Sequence, residues 1–461
     1  MTMSDPTTPA SVRIGRRTLL RTASAGATAV ALGAAASPTF AQSATPVASP
    51  SDDHGHDHDH DLSHEAASTA WLAVADPVAR QLHVTSLDGT LLQTLEGVTV
   101  QTHAGFLPLA NGQLLFVDEG ARELVGIEVH GDHVHTHSAS LPGTTVSHLA
   151  VDSDHSHYAA VGTDDEDAPI VLVDLKTWEA TPVALPEAGE VGLMLTHDLL
   201  FHRNDVTNQV EAYAISDVLA GTVEPLSTVA IGPFGHGEAI TRDGSTLFSA
   251  TDDGIDVLAW DGDALTHLTT YGWDASSRTG GRGYFQRLSF DESHIVSYTA
   301  NREAAETAWE TWTNDLWLAT IATDEVTRTE LGTGYVFRFA LTPGAALFAR
   351  IGGDGDAALI VDLAPGSPTF GTVKTDLAIP AMTTGPKAGE DIYATNQYRS
   401  VAATPDGALG FVTQGGDGQI VVIDLERGEL SATITVPSPL DGGGYLAVFG
   451  TADAFTDSIG R

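Results

Sequence analysis

The chain has 461 residues, of which 42 % are hydrophobic, 18 % are charged and 47 are glycine. This composition is typical of a globular, turn-rich all-β protein. The formal net charge of −40 would repel nucleic acid and anionic lipid, which excludes both as partners. Cysteine is absent, so disulfides, thiolate metal ligands and thiol nucleophiles are excluded as well.

The first 41 residues have the features of an export signal. A basic segment, Gly15–Arg21, carries paired arginines at 16 and 17 and precedes an uncharged run of small and apolar residues, Thr22–Ala36. This order predicts a signal peptide over residues 1–41, and the paired arginines indicate twin-arginine (Tat) export. The alternative is a membrane anchor, but the run is too short and too rich in Ala and Gly to span well. We therefore expect a periplasmic or extracellular protein that is not inserted in a membrane once the signal is removed.

A polar tail is predicted over residues 42–68. Its first part, Ser43–Ser51, is rich in Ser, Pro and Ala, and the remainder has almost no apolar residue that could enter a core. We expect this tail to be disordered in the absence of a ligand. Its histidines alternate mostly with aspartate, and they are His54, His56, His58, His60 and, slightly further on, His64.

The alternating histidines of the tail predict a metal site. A flexible segment can fold its imidazoles around one tetrahedral ion, and the intervening aspartates can orient the rings or supply oxygen ligands. Without cysteine, a site must be built from imidazole and carboxylate, which favours zinc, with copper(II) and nickel as alternatives. The alternative interpretation is a solvated linker or a purification tag, but the preceding signal and the intervening acids argue against a tag.

Residues 69–461 predict a β-propeller. Short β-rich runs alternate with turn signals, and Gly232–Ala250 aligns with Gln397–Thr413 as strand, Asp-Gly turn and strand. Related units begin near residues 103, 147, 286 and 337. A period of about 40–60 residues with about four strands per unit is typical of propellers. Counting the innermost strands gives about eight blades, with seven as the alternative, and a β-sandwich rarely repeats at this length.

The two ends of this region are expected to meet in one blade. Tyr445–Phe449 would supply its innermost strand, and Ala70–Ala75 and Gln81–Thr85 would supply two others. Such closure would join the ends of the ring without a disulfide.

The histidines of the propeller are unevenly distributed, because none follows His294. His103, His148 and His236 each stand near the start of an innermost strand, where side chains of different blades converge on the channel mouth. Three neutral imidazoles with a carboxylate or water form a common zinc set. We therefore predict a zinc site of His103, His148 and His236, with His197 as a fourth candidate and Glu238 as a carboxylate ligand. The alternative is that each histidine satisfies local hydrogen bonds.

A second set of histidines lies on a predicted hairpin with Gly131-Asp132 as its turn. His133, His135 and His137 alternate along the next strand and share a face, and His155 and His157 occupy a comparable turn in the next unit. These five residues predict a secondary, exposed metal site or relay. The alternative is an edge strand blunted by polar residues.

The sequence resembles the AztD-type zinc metallochaperones, on its acidic histidine tail, its propeller repeats and three segments. The segments are Thr102-His-Ala-Gly-Phe106, His197-Asp-Leu-Leu-Phe-His202 and Gly235-His-Gly-Glu-Ala239. The resemblance implies a protein, not an enzyme, that passes zinc to the zinc-specific solute-binding protein of an ABC importer. We expect this protein to be a monomer. It implies metal binding for the tail, His103 and His236.

Our hypothesis from the sequence is therefore an extracytoplasmic zinc metallochaperone, in which the tail loads or unloads the propeller site. Motifs of common hydrolases, P-loops and zinc proteases are absent. The alternatives are a metal-dependent propeller lactonase or lyase, and an interaction scaffold whose tail buffers metal.

Overall fold

The computed structural model describes residues 70–143, 146–152, 155, 157–163, 169–185, 191–275, 278–394, 398–451 and 459–460. The predicted signal peptide (1–41) and the predicted tail (42–68), with all of its histidines, lie outside these residues.

The described residues form eight sheets arranged as the blades of a propeller, which confirms the all-β fold and the expected blade number. The strands of blades 1 to 4 are β1 (Trp71–Asp76), β2 (Gln81–Ser86) and β3 (Leu91–Glu96); β4 (Phe106–Pro108), β5 (Leu114–Asp118), β6 (Glu123–His130) and β7 (His133–Ser140); β8 (Val146–Val151), β9 (Tyr158–Thr163), β10 (Ile170–Asp174) and β11 (Ala180–Val183); and β12 (Val191–Leu195), β13 (Leu199–Asn204), β14 (Gln209–Ala214) and β15 (Ser227–Ala230).

The remaining blades follow the same order, from innermost to outermost strand. The strands of blades 5 to 8 are β16 (Glu238–Ile240), β17 (Thr246–Ala250), β18 (Gly254–Trp260) and β19 (Leu265–Gly272); β20 (Gln286–Leu288), β21 (His294–Asn301), β22 (Thr313–Thr320) and β23 (Glu325–Thr333); β24 (Tyr335–Leu341), β25 (Ala345–Ile351), β26 (Asp356–Asp362) and β27 (Val373–Ile379); and β28 (Val401–Ala403), β29 (Leu409–Gln414), β30 (Gln419–Asp424) and β31 (Glu429–Thr435).

Blade 1 is closed by both ends of the described region, as the sequence predicts. Strand β32 (Tyr445–Phe449) pairs antiparallel with β1, with Trp71 opposite Phe449 and Ala75 opposite Tyr445. The short strand β33 (Ile459–Gly460) pairs with β8 and makes blade 3 five-stranded. The ring is therefore closed by strand pairing alone.

The blades pack against one another through apolar side chains on both of their faces. In β10, Val171 and Val173 join a core shared with blade 2, whereas Ile170 and Leu172 join a core shared with blade 4. A strand that is buried on both faces reads as a continuous apolar run rather than as an alternation. This explains why the middle strands of the repeats have little polar periodicity.

The turns between strands repeat one hydrogen-bonding pattern, which made the repeats visible in the sequence. In the turn Thr241–Ser245, the Thr241 hydroxyl and the Ser245 N–H both donate to the Asp243 carboxylate, at 2.7 and 3.0 Å. Thr404 and Asp406 make the equivalent hydroxyl–carboxylate contact at 2.6 Å. The glycine after each aspartate adopts a positive φ, which a residue without Cβ tolerates best.

Helical structure in the described residues is limited to α1 (Ile215–Leu219) and a 3₁₀ helix over Glu306–Thr311. Neither could cross a bilayer, since no helix in the described part of the chain is long and apolar enough. The 3₁₀ helix buries Trp309, which is 1 % exposed, in an apolar cluster that also contains Tyr335 and Tyr398.

The polarity of the inner strands defines two ends of the propeller. The inner strand of every blade surrounds the channel, and neighbouring inner strands run in the same direction, as the parallel bridge between Asp152 and Leu195 shows. We call the end at which the inner strands begin the entry end, and the end at which they finish the exit end. Residues just before an inner strand lie at the entry end, and residues just after one lie at the exit end.

Candidate metal centre

Three histidines from three blades meet near the entry end of the channel. His103 lies in the turn before β4, where its N–H donates to the Gln101 side-chain oxygen. His148 lies within β8, at a bulge in the pairing with β9. His236 lies two residues before β16, and its N–H donates to the Ala250 carbonyl at 2.8 Å. Backbone structure of the blades therefore positions each of the three imidazoles.

The three imidazoles are close enough to share one ion. The ring centroid of His103 lies 5.1 Å from that of His148 and 5.4 Å from that of His236. One ring nitrogen of each residue lies within 4.8 Å of the others. Tetrahedral zinc with Zn–N distances of about 2.0–2.1 Å holds its ligand atoms about 3.3 Å apart. Small rotations of the side chains would therefore close the group around a zinc ion.

The burial of the group favours a selective site over an adventitious one. His148 is only 2 % exposed, and His103 and His236 are half-buried. The imidazoles stand edge to face, at interplanar angles of 65–82°. They are not stacked, so their edges can converge on a common point.

The glycines on either side of His236 are required by close packing. A Cβ on Gly235 would lie 2.6 Å from the Cδ of Arg203, and a Cβ on Gly237 would lie 2.8 Å from the Tyr284 carbonyl oxygen. Gly237 also has a φ of +107°. The Gly-His-Gly segment thus lets the chain pass between Arg203 and Tyr284 while it presents His236 to the channel.

Glu238, predicted as a carboxylate ligand, contacts a buried arginine. Its Oε1 accepts a hydrogen bond from the Arg203 Nε at 2.5 Å, and both side chains are fully buried. A Cβ on Gly192 would lie only 2.2 Å from the same oxygen, so this glycine makes room for the ion pair. Glu238 is not a member of the compact metal-ligand groups found among the described residues. Its clearest role in the structure is therefore to position the segment that carries His236.

His197, the predicted fourth member, lies elsewhere. It follows β12 and is therefore at the exit end, where its Nδ1 lies 3.1 Å from the Nδ1 of His157. His157 was predicted as part of the secondary site. Together with Asp152 the two histidines form a second compact group of potential metal ligands. Sequence analysis missed Asp152, although the spacing Asp152-x-x-His155-x-His157 contained a signal for it.

The hairpin histidines form an exposed row on the outer strands of blade 2. The predicted two-residue turn is confirmed, because His130 pairs directly with His133. The rings of His133 and His135 lie 4.5 Å apart, whereas His137 stacks on Trp178 with centroids 5.4 Å apart. Among the described residues, this row is not one of the compact groups that could hold an ion.

One carboxylate connects parts of this histidine row. The Glu128 Oε1 lies 3.0 Å from the Nε2 of His130 and 3.5 Å from the Nε2 of His137. Burial acts to raise the pKa of Glu128, but hydrogen bonds from Gln113 and His130 outweigh it and lower that pKa. Glu128 is therefore an anion that orients the imidazoles of His130 and His137. This arrangement suits a blade whose outer edge is polar.

His155, also predicted for the secondary site, has a backbone partner. It is 3 % exposed, and its Nδ1 accepts a hydrogen bond from the Ala110 N–H at 3.1 Å. That contact joins blade 3 to the β4–β5 turn of blade 2. The structure thus separates His155 from His133, His135 and His137, which lie on the outermost strand.

Arginines and aromatic residues line the rest of the entry end. The Arg338 Nη2 donates to the carbonyl of Thr102 at 2.6 Å, next to His103. Arg302, which sequence analysis missed, lies over the ring of Tyr284, 5.3 Å from its centroid, and donates to the Tyr393 hydroxyl at 2.8 Å.

Arg399, by contrast, does not line the channel mouth. It is 2 % exposed and forms a buried ion pair with Asp356, to which its Nε donates at 2.9 Å. This pair joins the start of blade 8 to blade 7. Arg338 and Arg399 both stand near the start of an inner strand, yet Arg338 contacts the segment that carries His103 and Arg399 lies between two blades.

Comparison with known proteins finds similar folds among solved structures. No protein-family model and no curated protein sequence matches the chain. The structure of apo AztD from Citrobacter koseri is similar, with a TM-score of 0.60 and 14 % identity over 83 % of this chain and 99 % of that chain. A second crystal structure of Citrobacter koseri AztD gives the same TM-score and covers 98 % of that chain.

An enzyme shares the architecture to almost the same degree. Dihydro-heme d1 dehydrogenase NirN in complex with DHE is similar, with a TM-score of 0.59 and 14 % identity over 85 % of this chain and 77 % of that chain. At such identities the similarity concerns the fold, so the chemistry has to be argued from the residues of this chain. The chain therefore has a β-propeller fold of the AztD type.

Proposed function

We propose that this protein binds zinc outside the cytoplasm and delivers it to the solute-binding protein of a zinc importer. The observation that carries the proposal is the convergence of His103, His148 and His236 from three blades, with ring nitrogens within 4.8 Å of one another. The AztD-type fold and the resemblance of the Thr102–Phe106 and Gly235–Ala239 segments support it.

The ligand chemistry favours zinc as cargo. The chain has no cysteine, and a group of neutral imidazoles suits zinc, with copper(II) and nickel as competitors. Three protein ligands leave a fourth tetrahedral position for water or for a ligand from another protein. Such a site can transfer its ion by exchanging one imidazole at a time with the ligands of a receiving protein.

The tail and the export signal complete the proposal. We infer that residues 1–41 direct export, by the Tat pathway, and that the histidines at 54, 56, 58, 60 and 64 capture zinc. The sequence predicts that the tail becomes ordered only with a ligand, so binding an ion there would cost conformational entropy and should be weaker than binding by the preorganised group. This difference in affinity would favour movement of zinc from the tail to the propeller.

Replacing one imidazole of the group tests the proposal. The parent for this test is the chain without the predicted signal peptide (residues 1–41) and without residues 52–64. Its variants are His103→Asn and His236→Asn. We expect zinc affinity to fall by more than about 100-fold, because one of three direct ligands is removed. Removing a residue that only hydrogen-bonds to a metal ligand usually lowers the affinity by about 10–100-fold. Competition with a chromogenic zinc chelator at neutral pH gives the dissociation constants.

The control is His294→Asn, which changes a histidine that contacts Ser293 and Phe370 far from the group. It should bind zinc as the parent does. Equal affinity in the parent, His103→Asn and His236→Asn would overturn the assignment. Metal-dependent hydrolysis of lactones that His103→Asn abolishes would instead favour the enzyme, and zinc transfer to a purified zinc-binding solute-binding protein would favour the chaperone.

A further inference from the structure

A second cluster of metal-ligand atoms lies at the exit end, away from His103 and His236. Asp152 directly follows β8, and His197 lies two residues after β12, so both are placed where adjacent inner strands finish. His157 is in the turn that leads into β9. The parallel bridge between Asp152 and Leu195 holds the two strand ends side by side. The cluster is thus fixed by the contact between blades 3 and 4.

The two imidazoles face each other through the same kind of atom. Their Nδ1 atoms are 3.1 Å apart, and the rings are perpendicular, with centroids 4.0 Å apart. This separation is close to the distance of about 3.3 Å between two nitrogen ligands of tetrahedral zinc. Two neutral imidazoles can also share this contact through one proton, which a metal ion would replace.

Asp152 supplies a carboxylate held in a fixed orientation. Its side chain is fully buried, and its Oδ1 accepts the N–H groups of His157 at 2.9 Å and Tyr158 at 2.8 Å. The other oxygen, Oδ2, lies 4.0 Å from the Nδ1 of His157. Because the backbone fixes one oxygen, the second is directed toward the histidine pair.

The surroundings of His197 favour the same ligand atom. Asp198 places its Oδ1 3.8 Å from the Nε2 of His197, on the far side of the ring from His157. This distance is too long for a hydrogen bond, but the negative charge on that side of the ring favours a proton on Nε2 over one on Nδ1, which leaves Nδ1 to a metal. The His197 side chain is 51 % exposed, whereas that of His157 is 30 % exposed. An ion between them would therefore keep one position open to solvent.

We propose that Asp152, His157 and His197 form a second site for a divalent transition metal, with zinc as the favoured ion. Two imidazole nitrogens and one carboxylate oxygen are a usual set of three zinc ligands. The site is separate from the channel-mouth histidines, because it lies at the opposite end of the inner strands: His148 is near the start of β8, whereas Asp152 follows its end. It does not depend on the proposed delivery function.

The first test locates the ion directly. The parent lacks residues 52–64 and carries His103→Asn, which removes the tail histidines and impairs the channel-mouth group. Crystals of this parent soaked in zinc chloride are measured on both sides of the zinc absorption edge. We expect an anomalous peak between the Nδ1 atoms of His157 and His197. Zinc peaks at other positions with none here would overturn the proposal.

The second test measures stoichiometry in solution. Adding His197→Asn to the parent should reduce zinc bound at equilibrium dialysis by one ion per chain. The matched control is His267→Asn, because the Nε2 of His267 also lies beside a carboxylate, 3.1 Å from the Oδ1 of Asp256, but His267 belongs to neither compact group of metal ligands among the described residues. It should leave the stoichiometry unchanged.

The outcomes separate a metal site from a structural histidine pair. Unchanged stoichiometry in His197→Asn with an unaltered circular dichroism spectrum would mean that the imidazoles only share a proton. Restoration of the lost ion by His197→Cys, which supplies a thiolate, would support ligation over a packing effect. Zinc binding at the channel mouth is measured with different variants, so failure here leaves that proposal untouched.

Discussion

His83 ties the closing blade to its neighbour. It is fully buried in β2, where its Nδ1 contacts the Thr94 hydroxyl and its Nε2 contacts the Ser438 hydroxyl, both at 2.9 Å. Ser438 follows the outermost strand of blade 8, so the imidazole of His83 links blade 1 to blade 8. Burial lowers the pKa of His83 below its ordinary value of 6.5, although Asp76 and Glu96 act in the opposite direction.

This burial predicts that the protein loses stability as the pH falls through and below about 6.5. The unfolded chain then binds a proton that the folded His83 resists, so the free energy of unfolding decreases with the pH until the lowered folded pKa is passed. Urea unfolding with EDTA present, at about pH 7.5 and about pH 5.5, measures the loss. His83→Gln should show a smaller loss than the natural protein.

Exposed His135 provides the comparison, since it lies on the outermost strand of blade 2 and contacts the rings of His130 and His133. His135→Gln should retain the pH dependence of the natural protein. The same pH dependence in His83→Gln would contradict the buried, neutral imidazole.

Residues of the candidate site differ in how far the sequence could reveal them. His103 and His236 stood out because they precede aligned repeats, and the structure brings them together with His148. The contact of Glu238 with Arg203, 35 positions earlier, could not be foreseen, because it depends on how blades 4 and 5 face each other. His197 was placed at the channel mouth because sequence register does not show at which end of an inner strand a side chain lies.

At the scale of single elements, the segment that leads into β16 is the most constrained. Gly235→Ala would push a Cβ against Arg203, whose guanidinium is fixed by Glu238. We expect this overpacking to cost about 1–3 kcal/mol and to displace His236, so that zinc affinity falls as well. Thermal unfolding and chelator competition measure the two effects on one sample.

Gly344→Ala is the matched control for that substitution. A Cβ there would meet only the Cβ of Ala364 at 3.8 Å, and Gly344 does not have a positive φ. Its stability and zinc affinity should equal those of the natural protein. If Gly235→Ala behaved in the same way, the close approach of Arg203 would not constrain the segment.

Strands and turns were predictable where local chemistry decides them. Thr241–Ser245 and Thr404–Ala408 adopt turns set by their own hydroxyl and carboxylate groups. Bulges were not predictable, since the register shift at His148 follows from pairing with β9. The two short helices escaped detection because neither is long enough to create a periodic pattern.

For the molecule as a whole, the pairing of β1 with β32 is the closing contact. A chain that ends before Tyr445 would leave β1 as an unpaired edge and would expose the apolar core between blades 8 and 1. We expect such a chain to unfold at a lower temperature and to aggregate, because exposed edge strands recruit other chains. Differential scanning fluorimetry and light scattering measure both effects.

A chain that ends after Gly450 is the control, because it keeps β32 and the whole of blade 1. It should remain folded and soluble. Equal stability of the two truncated chains would show that β32 is dispensable for ring closure.

The architecture was predictable because each blade repeats the same turns, and the apolar runs give the number of blades. The pairing of Tyr445–Phe449 with β1 was predictable for the same reason, since blade 1 otherwise lacked an inner strand. The metal-ligand group of Asp152, His157 and His197 was not, because it forms across the interface of two blades.

Ring closure also determines the order of events during synthesis. Blade 1 begins with Trp71 and is completed only by Phe449, so nearly the entire described chain must leave the ribosome first. Until then, the early blades form an open arc, with an apolar face exposed at its leading edge. Contacts of such long sequence separation form slowly, and partly folded arcs are prone to misassembly. The seam that joins the mature ring is therefore also the step at which a nascent chain is most exposed to aggregation.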